Sequence, residues 1–276
     1  MYAYPDHTRR WVIPLAALTL AAGISSAQQN PVSPARATVF YIKVAPAKAQ
    51  AYRTFMKTGD GAKAMRTLLK VNPNLVAITV RYLNFTGYPS QDANFVLALT
   101  FSGPVSWPTG WQDAFRSEYG ATFEEYLEKS SQLATPVGNM MVHLHHAANA
   151  APSQEGEVMV IDRIKFKRGQ QEYFALMRET GFPLAEQRVK DGGLLGWSFS
   201  HAQFPSGSSL PYEGTILRRY KDVATATGQG ANPGTSASLF AKVFPSRGYV
   251  EYVDKLRESG EVVRRDMETI VVVFRK

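Results

Sequence analysis

Residues 38–57 read TVFYIKVAPAKAQAYRTFMK, and residues 157–179 read EVMVIDRIKFKRGQQEYFALMRE. Each begins with an apolar run of strand length and passes into a stretch whose large residues recur at helical spacing. Ile42-Lys43-Val44 matches Ile164-Lys165-Phe166, and Tyr52-x-x-Phe55-Met56 matches Tyr173-x-x-Leu176-Met177. The identity is thin, but the order of elements that follows is the same in both. In the first half a helical stretch over 47–57 is interrupted by Gly59-Asp60-Gly61, resumes over 62–69 and stops at Asn72-Pro73-Asn74. Strands are expected at 75–85 and 94–101, a long helix at 111–133 and a last strand at 139–146. The second half has its first strand at 157–166 and helical pieces at 169–179 and 184–190, broken by Gly181-Phe182-Pro183. Strands at 194–204 and 212–220, a short helix at 239–243, a long helix at 248–266 and a strand at 269–274 complete it. Each half is β-α-β-β-α-β, so the fold class is α+β, with two tandem ferredoxin-like units at 38–150 and 151–276. The long helices carry stripes at spacings of three and four: Trp111, Phe115, Tyr119, Phe123 and Tyr126, then Tyr249, Val253, Leu256, Gly260 and Val263. Such stripes face a sheet, and Gly260 reads as a point of close helix–sheet approach.

The N-terminus has the three-part pattern of a cleaved export signal. Arg9-Arg10 precedes an apolar run over 11–22, and Ser25-Ser26-Ala27 places small residues at the cleavage point, so the mature chain is expected to begin at Gln28. The run is too short to span a bilayer. Residues 28–37 read as an extended leader with Pro31 and Pro34. The chain has no cysteine, which excludes disulfides, lipid attachment to a thiol and thiolate chemistry. Without residues 1–27 there are 29 basic and 22 acidic residues, a net +7 with no long basic run. That mild excess excludes neither small anions nor anionic surfaces, but it argues against a nucleic-acid partner. A small molecule is the expected partner; nothing in the sequence sets an oligomeric state.

Four histidines remain in the mature chain. In His143-Leu144-His145-His146, strand alternation sends His143 and His145 to one face and His146 to the other. Two imidazoles at i and i+2 can share a metal ion, but no third ligand follows in sequence, and the ordinary reading is a strand end whose histidines meet solvent or pack at the sheet edge. His201 falls on the face of Trp197 and Phe199; an imidazole beside an indole in a sheet-lined pocket can orient or deprotonate a phenol. A core histidine with one hydrogen bond is the alternative. Arg188 is the candidate for holding an anion, with Lys190 placed to meet the helix end. Arg264-Arg265 suits the end of the last long helix in the same way. No phosphate-binding loop, dinucleotide fingerprint or hydrolase elbow is present.

The repeated order of elements resembles the dimeric α/β-barrel superfamily, in which two ferredoxin-like units join their sheets. Here one chain supplies both, as an internal pseudo-dimer. The second half, in Glu186-Gln187-Arg188-Val189-Lys190, Gly192-Gly193, Gly196-Trp197 and Phe244-Pro245-Ser246-Arg247, is similar to exported bacterial proteins of unassigned function. The superfamily includes cofactor-free monooxygenases, haem-degrading enzymes, haem peroxidases and stress-response proteins, so the fold alone does not choose an activity. The resemblance implies a ligand between each unit's helices and sheet, with the broken first helix as a flap. The resulting expectation is an exported small-molecule-binding or stress-associated protein without a cofactor. The alternatives are a cofactor-free monooxygenase-like enzyme on His201 and Trp197, and a haem or divalent-metal protein on His143 and His145.

Overall fold

A computed structural model describes residues 35–86, 93–204, 212–228 and 236–276. The expected signal peptide at 1–27 and most of the leader lie outside those residues. The chain runs β1 (Arg36–Val44), α1 (Ala49–Lys57), α2 (Asp60–Val71), β2 (Leu75–Thr86), β3 (Phe95–Phe101), α3 (Trp111–Tyr119), α4 (Phe123–Ser131) and β4 (Ala134–Asn149). It repeats as β5 (Val158–Phe166), α5 (Gln170–Leu176), α6 (Phe182–Lys190), β6 (Gly196–Phe204) and β7 (Gly214–Tyr220), then α7 (Val223–Ala226), α8 (Ser236–Val243), α9 (Tyr249–Ser259) and β8 (Gly260–Arg275). Arg36 and Ala37, read as leader, already belong to β1.

All eight strands join, antiparallel, in one closed barrel in the order β1-β3-β2-β8-β5-β7-β6-β4. Closure depends on the two long strands. β4 pairs with β1 along its first part and with β6 along its second, and β8 pairs likewise with β5 and then β2. Each therefore stitches one ferredoxin-like sheet to the other and leaves no open edge.

The repeat extends to the irregularities. The ladders leave Val137 unpaired on β4 and Val263 on β8, then His145 on β4 and Val271 on β8, and Gln203 on β6 and Asn84 on β2. Each pair of bulges falls at matching places in the two halves, where the extra residue bends and twists the strand as a barrel requires.

Three expectations change. The stretch 111–133 is two helices, because Gly120 takes φ +87° and Thr122 starts α4 in a capping box with Glu125. Gly181-Phe182-Pro183 does not interrupt its helix: α5 continues through a π-helical turn over Met177–Gly181 into α6. The helix expected over 248–266 stops at Ser259, and Gly260, Val263, Arg264 and Arg265 lie on β8. Gly260 does permit a close approach, but by Tyr173, whose ring stands 2.4 Å from where a Cβ would lie. Arg264 and Arg265 pair with Asp266 and Asp162 at 2.6 Å rather than with helix carbonyls.

Helices cover the outside of the barrel in two layers. The first half's layer is an aromatic core: Phe115, Tyr119 and Tyr126 pack with Tyr52, Met56 and Phe95 over β1–β3 and the end of β8. The second half packs Tyr173, Phe174, Met177, Trp197 and Phe199 in the corresponding place. Among the described residues no helix is long and apolar enough to cross a membrane.

Candidate functional site

The β4–β6 ladder places His143 directly opposite His201 and, across the other edge of β4, opposite Arg36. Directly paired residues share a face, so sequence-distant side chains gather on the helix-covered side of the barrel. The rings of His143, His145 and His201 have centroids 4.7–5.3 Å apart, with interplanar angles of 20–28°. His145 Nε2 and His201 Nδ1 share a hydrogen bond of 2.5 Å. The third imidazole that the sequence lacked near His143 and His145 is therefore His201.

The bulge at His145 has a second effect. Because it adds one residue, His146 does not turn to the barrel interior as simple alternation requires. Its ring stacks on Phe182 at 4.4 Å and 7°, lies 6.1 Å from Trp197, and its Nε2 meets Glu186 Oε1 at 3.0 Å. All four histidines thus face the helix layer. Phe174 stands edge-on to His145 at 4.3 Å, and Phe199 lies 5.6 Å away. The cover over them is the α5–π–α6 segment, and π-helical turns recur at functional sites because they re-aim side chains.

Burial holds the three clustered rings uncharged. It lowers His145 to about 4, helped by the neighbouring histidines and by Arg178 on the π-helical turn. It lowers His201 to about 4 as well, with His143 adding to it. His143 is lowered by burial and then by the charge of Arg36. Arg36 Nε is itself buried without a hydrogen-bond partner. The cations that act on these rings are Arg36 and Arg178. Arg188 lies half-buried on α6 and makes no ion pair among the described residues. Trp197 is buried on the same face as His201, as alternation required, but it meets His146 and Phe182, with Phe199 between it and His201. Arg36 was hidden from sequence reasoning by its place in an apparent leader; its cross-strand pairing is what assigns it.

The geometry does not fit a metal ion. Two nitrogens on one ion, each about 2.0–2.1 Å from it, stand roughly 3.3 Å apart in a tetrahedral site, whereas His145 and His201 are at hydrogen-bond distance. Among the described residues no three ligand side chains converge on a point that could hold an ion.

Comparison with known proteins adds the fold. No family model matches the sequence. No curated protein matches it either. Among solved structures, a "putative monooxygenase" from Fusobacterium nucleatum subsp. nucleatum aligns over 88% of this chain and 95% of its own, at 9% identity and a TM-score of 0.52. Another "putative monooxygenase", from Lactobacillus acidophilus, aligns over 88% and 97%, at 10% identity and a TM-score of 0.50. This chain has the dimeric α/β-barrel fold. Both copies of the ferredoxin-like unit stand in one polypeptide, and a dimeric α/β barrel of this kind carries its chemistry in side chains that the fold does not dictate.

Proposed function

We propose that this is an exported small-molecule-binding protein whose working site is the histidine cluster beneath the π-helical turn. The hydrogen-bonded pair of neutral imidazoles, His145 and His201, carries the reading. Two half-buried rings that stay uncharged at neutral pH present hydrogen-bonding nitrogens beside an aromatic wall, which suits a planar ligand with a hydroxyl group. Arg36 and Arg178 favour a ligand whose hydroxyl ionises. A cofactor-free monooxygenase-like reaction is the second reading, and the shared hydrogen bond favours it. A proton taken up at the outer nitrogen of one ring can pass through that bond to the other. Against it stands the pKa of about 4, well below the range near 7 where a general base works best. A bound phenolate beside the pair would raise it.

Titrating 1-naphthol into the purified protein, followed by the histidine-ring NMR signals, tests the site. His145 and His201 should shift, and His201→Gln should weaken binding about tenfold while the melting temperature stays within a few degrees. Naphthol binding that leaves every histidine signal unmoved sinks the assignment. Oxygen uptake with naphthol present separates turnover from binding. For export, mass spectrometry of the secreted protein should find Gln28 at its N-terminus; an intact Met1 would remove that part of the reading.

A further inference from the structure

The interior of the barrel is a cavity of about 630 Å³, within the roughly 300–1,000 Å³ of small-molecule sites. It lies on the opposite face of the sheet from the histidines. It exists because the inward positions carry small residues, among them Ala37, Ala77, Ala98, Thr79 and Ser200. Among the described residues its charged lining is Arg36, Arg81, Arg163, Arg219 and Arg275, while Asp266 and Glu268 share the inward face but are fully buried.

The carboxylates behind that lining do not exhaust the arginines. Arg81 meets Glu268 at 2.8 Å, Arg163 meets Asp266 at 3.4 Å, and Arg219 meets Glu157 at 3.2 Å. Asp266 is also shared with Arg264 at 2.6 Å. Arg219 is 1% exposed and Arg81 5%. Even so, Nε of Arg81 and Nε of Arg219 lack a hydrogen-bond acceptor, Arg219 Nη1 faces Glu157 without hydrogen-bond geometry, and both oxygens of Glu268 likewise lack a hydrogen-bond donor. Buried guanidinium donors left unmade are costly, and the excess is positive, since Arg81, Arg163, Arg219, Arg264 and Arg275 share Glu157, Asp266 and Glu268. Arg219 and Arg275 lie by the connection between β4 and β5, where they bond the carbonyls of Ala151 and Ser153. Arg163 lies deeper, over the ring of Tyr212 at 4.9 Å, where the Tyr41 and Tyr212 hydroxyls meet. Between them the wall is apolar, with Val39, Met159 and Leu217.

We propose that the barrel lumen is a second binding site, for a small organic anion with an apolar body. The guanidinium fork matches a carboxylate or phosphate in plane and spacing, and the small apolar residues accept a hydrocarbon body.

Decanoate, decanol and inorganic phosphate, titrated calorimetrically into the purified protein, test this. Decanoate should bind at least tenfold more tightly than decanol, because only the carboxylate answers the arginines, and more tightly than phosphate, which lacks the apolar body. Ala98→Met, which fills the lumen, should weaken decanoate at least tenfold. Arg275→Gln, at an exposed position, should weaken decanoate about tenfold and leave decanol unchanged. His201→Gln should alter neither. Equal affinity for decanoate and decanol, binding untouched by both lumen variants, or no binding of decanoate would each overturn the proposal.

Discussion

Each half's helix layer covers the end of the other half's long strand. Under the second half's helices, His143 of β4 sits on the strand ladder between Arg36 and His201; at the matching place under the first half's helices, Thr269 of β8 sits between Val158 and Tyr82. The bulge that lifts His145 towards the helix layer has its counterpart at Val271, and His146 has its counterpart at Val272. On the two long strands the bulges thus correspond to the unpaired residue, and the side chains do not. Under the first half's helices Val271 and Val272 of β8 join an aromatic core, and Arg53 covers the Tyr82 ring at 4.6 Å. Bulges at these positions belong to barrel closure, because both halves have them. The histidines do not, because they gather under one helix layer, the second half's, and not under the other. A feature shared by the halves answers to folding, and one confined to a single half answers to something else.

Exchanging residues between the halves gives the largest effect. Val271→His puts an imidazole at a position 8% exposed, within apolar and aromatic packing that offers no hydrogen bond in return. The expected loss is about 1–3 kcal/mol, the cost of an unsatisfied buried polar group. The reverse change, His145→Val, should be neutral or stabilising, since the first half shows that a valine fits this bulge. Urea unfolding of both variants checks the pair. A first half that accepts histidine without loss would erase the distinction between filled core and built site.

The sequence carried the fold further than the site, and for physical reasons. Alternation and helical spacing are local, so β5, β7 and the stripe from Trp111 to Tyr126 were readable from residue order. Gly120 and the Thr122-x-x-Glu125 signal were present and mark the break inside that stripe. The end of β8 was readable at 269–274, but its first part reads as helix because Tyr249, Val253 and Leu256 run into Gly260 and Val263 without a change of period. The cluster was half legible. His143, His145 and His201 were each recognised as chemistry-bearing. Their meeting depends on ladder register, and no local pattern encodes that. The facing of His146 depends on a bulge, and Arg36 on the true start of β1. The lumen left no trace in the linear pattern, since an alanine facing inward and one facing out are written alike.

The next effect is on acid stability. The folded pKa values of His145 and His201, about 4, lie below the ordinary 6.5 of an unfolded chain. As pH falls from about 6.5 the unfolded chain takes up protons that the folded one refuses, so the histidines' contribution is intact above that pH and is lost towards about 4. Replacing them with their first-half counterparts, as His145→Val with His201→Tyr, should flatten the decline in unfolding free energy between pH 7 and 4.5. The carboxylates titrate in both proteins, so the difference between them isolates the histidines. An unchanged slope would mean that the rings are not held neutral by burial, and the proposed site would lose its chemistry.

The smallest effect concerns what holds His146 against the helix layer. Its ring is stacked on Phe182, and its Nε2 meets Glu186, whose side chain is 58% exposed. An exposed pair of this kind contributes roughly 0–1 kcal/mol. The first half offers the control, since Val272 at the matching place packs on the core as an uncharged side chain. Position is therefore set by the bulge and by ring-on-ring packing. Glu186→Gln should change stability by less than about 0.5 kcal/mol and leave the His146 ring signals displaced by the face of Phe182. His146→Ala should cost more, because it uncovers Phe182 and Trp197. A loss above about 2 kcal/mol for Glu186→Gln, beyond what surface pairs supply, would make the carboxylate the anchor. The bulge in the second half would then be held by a charge for which the first half has no counterpart.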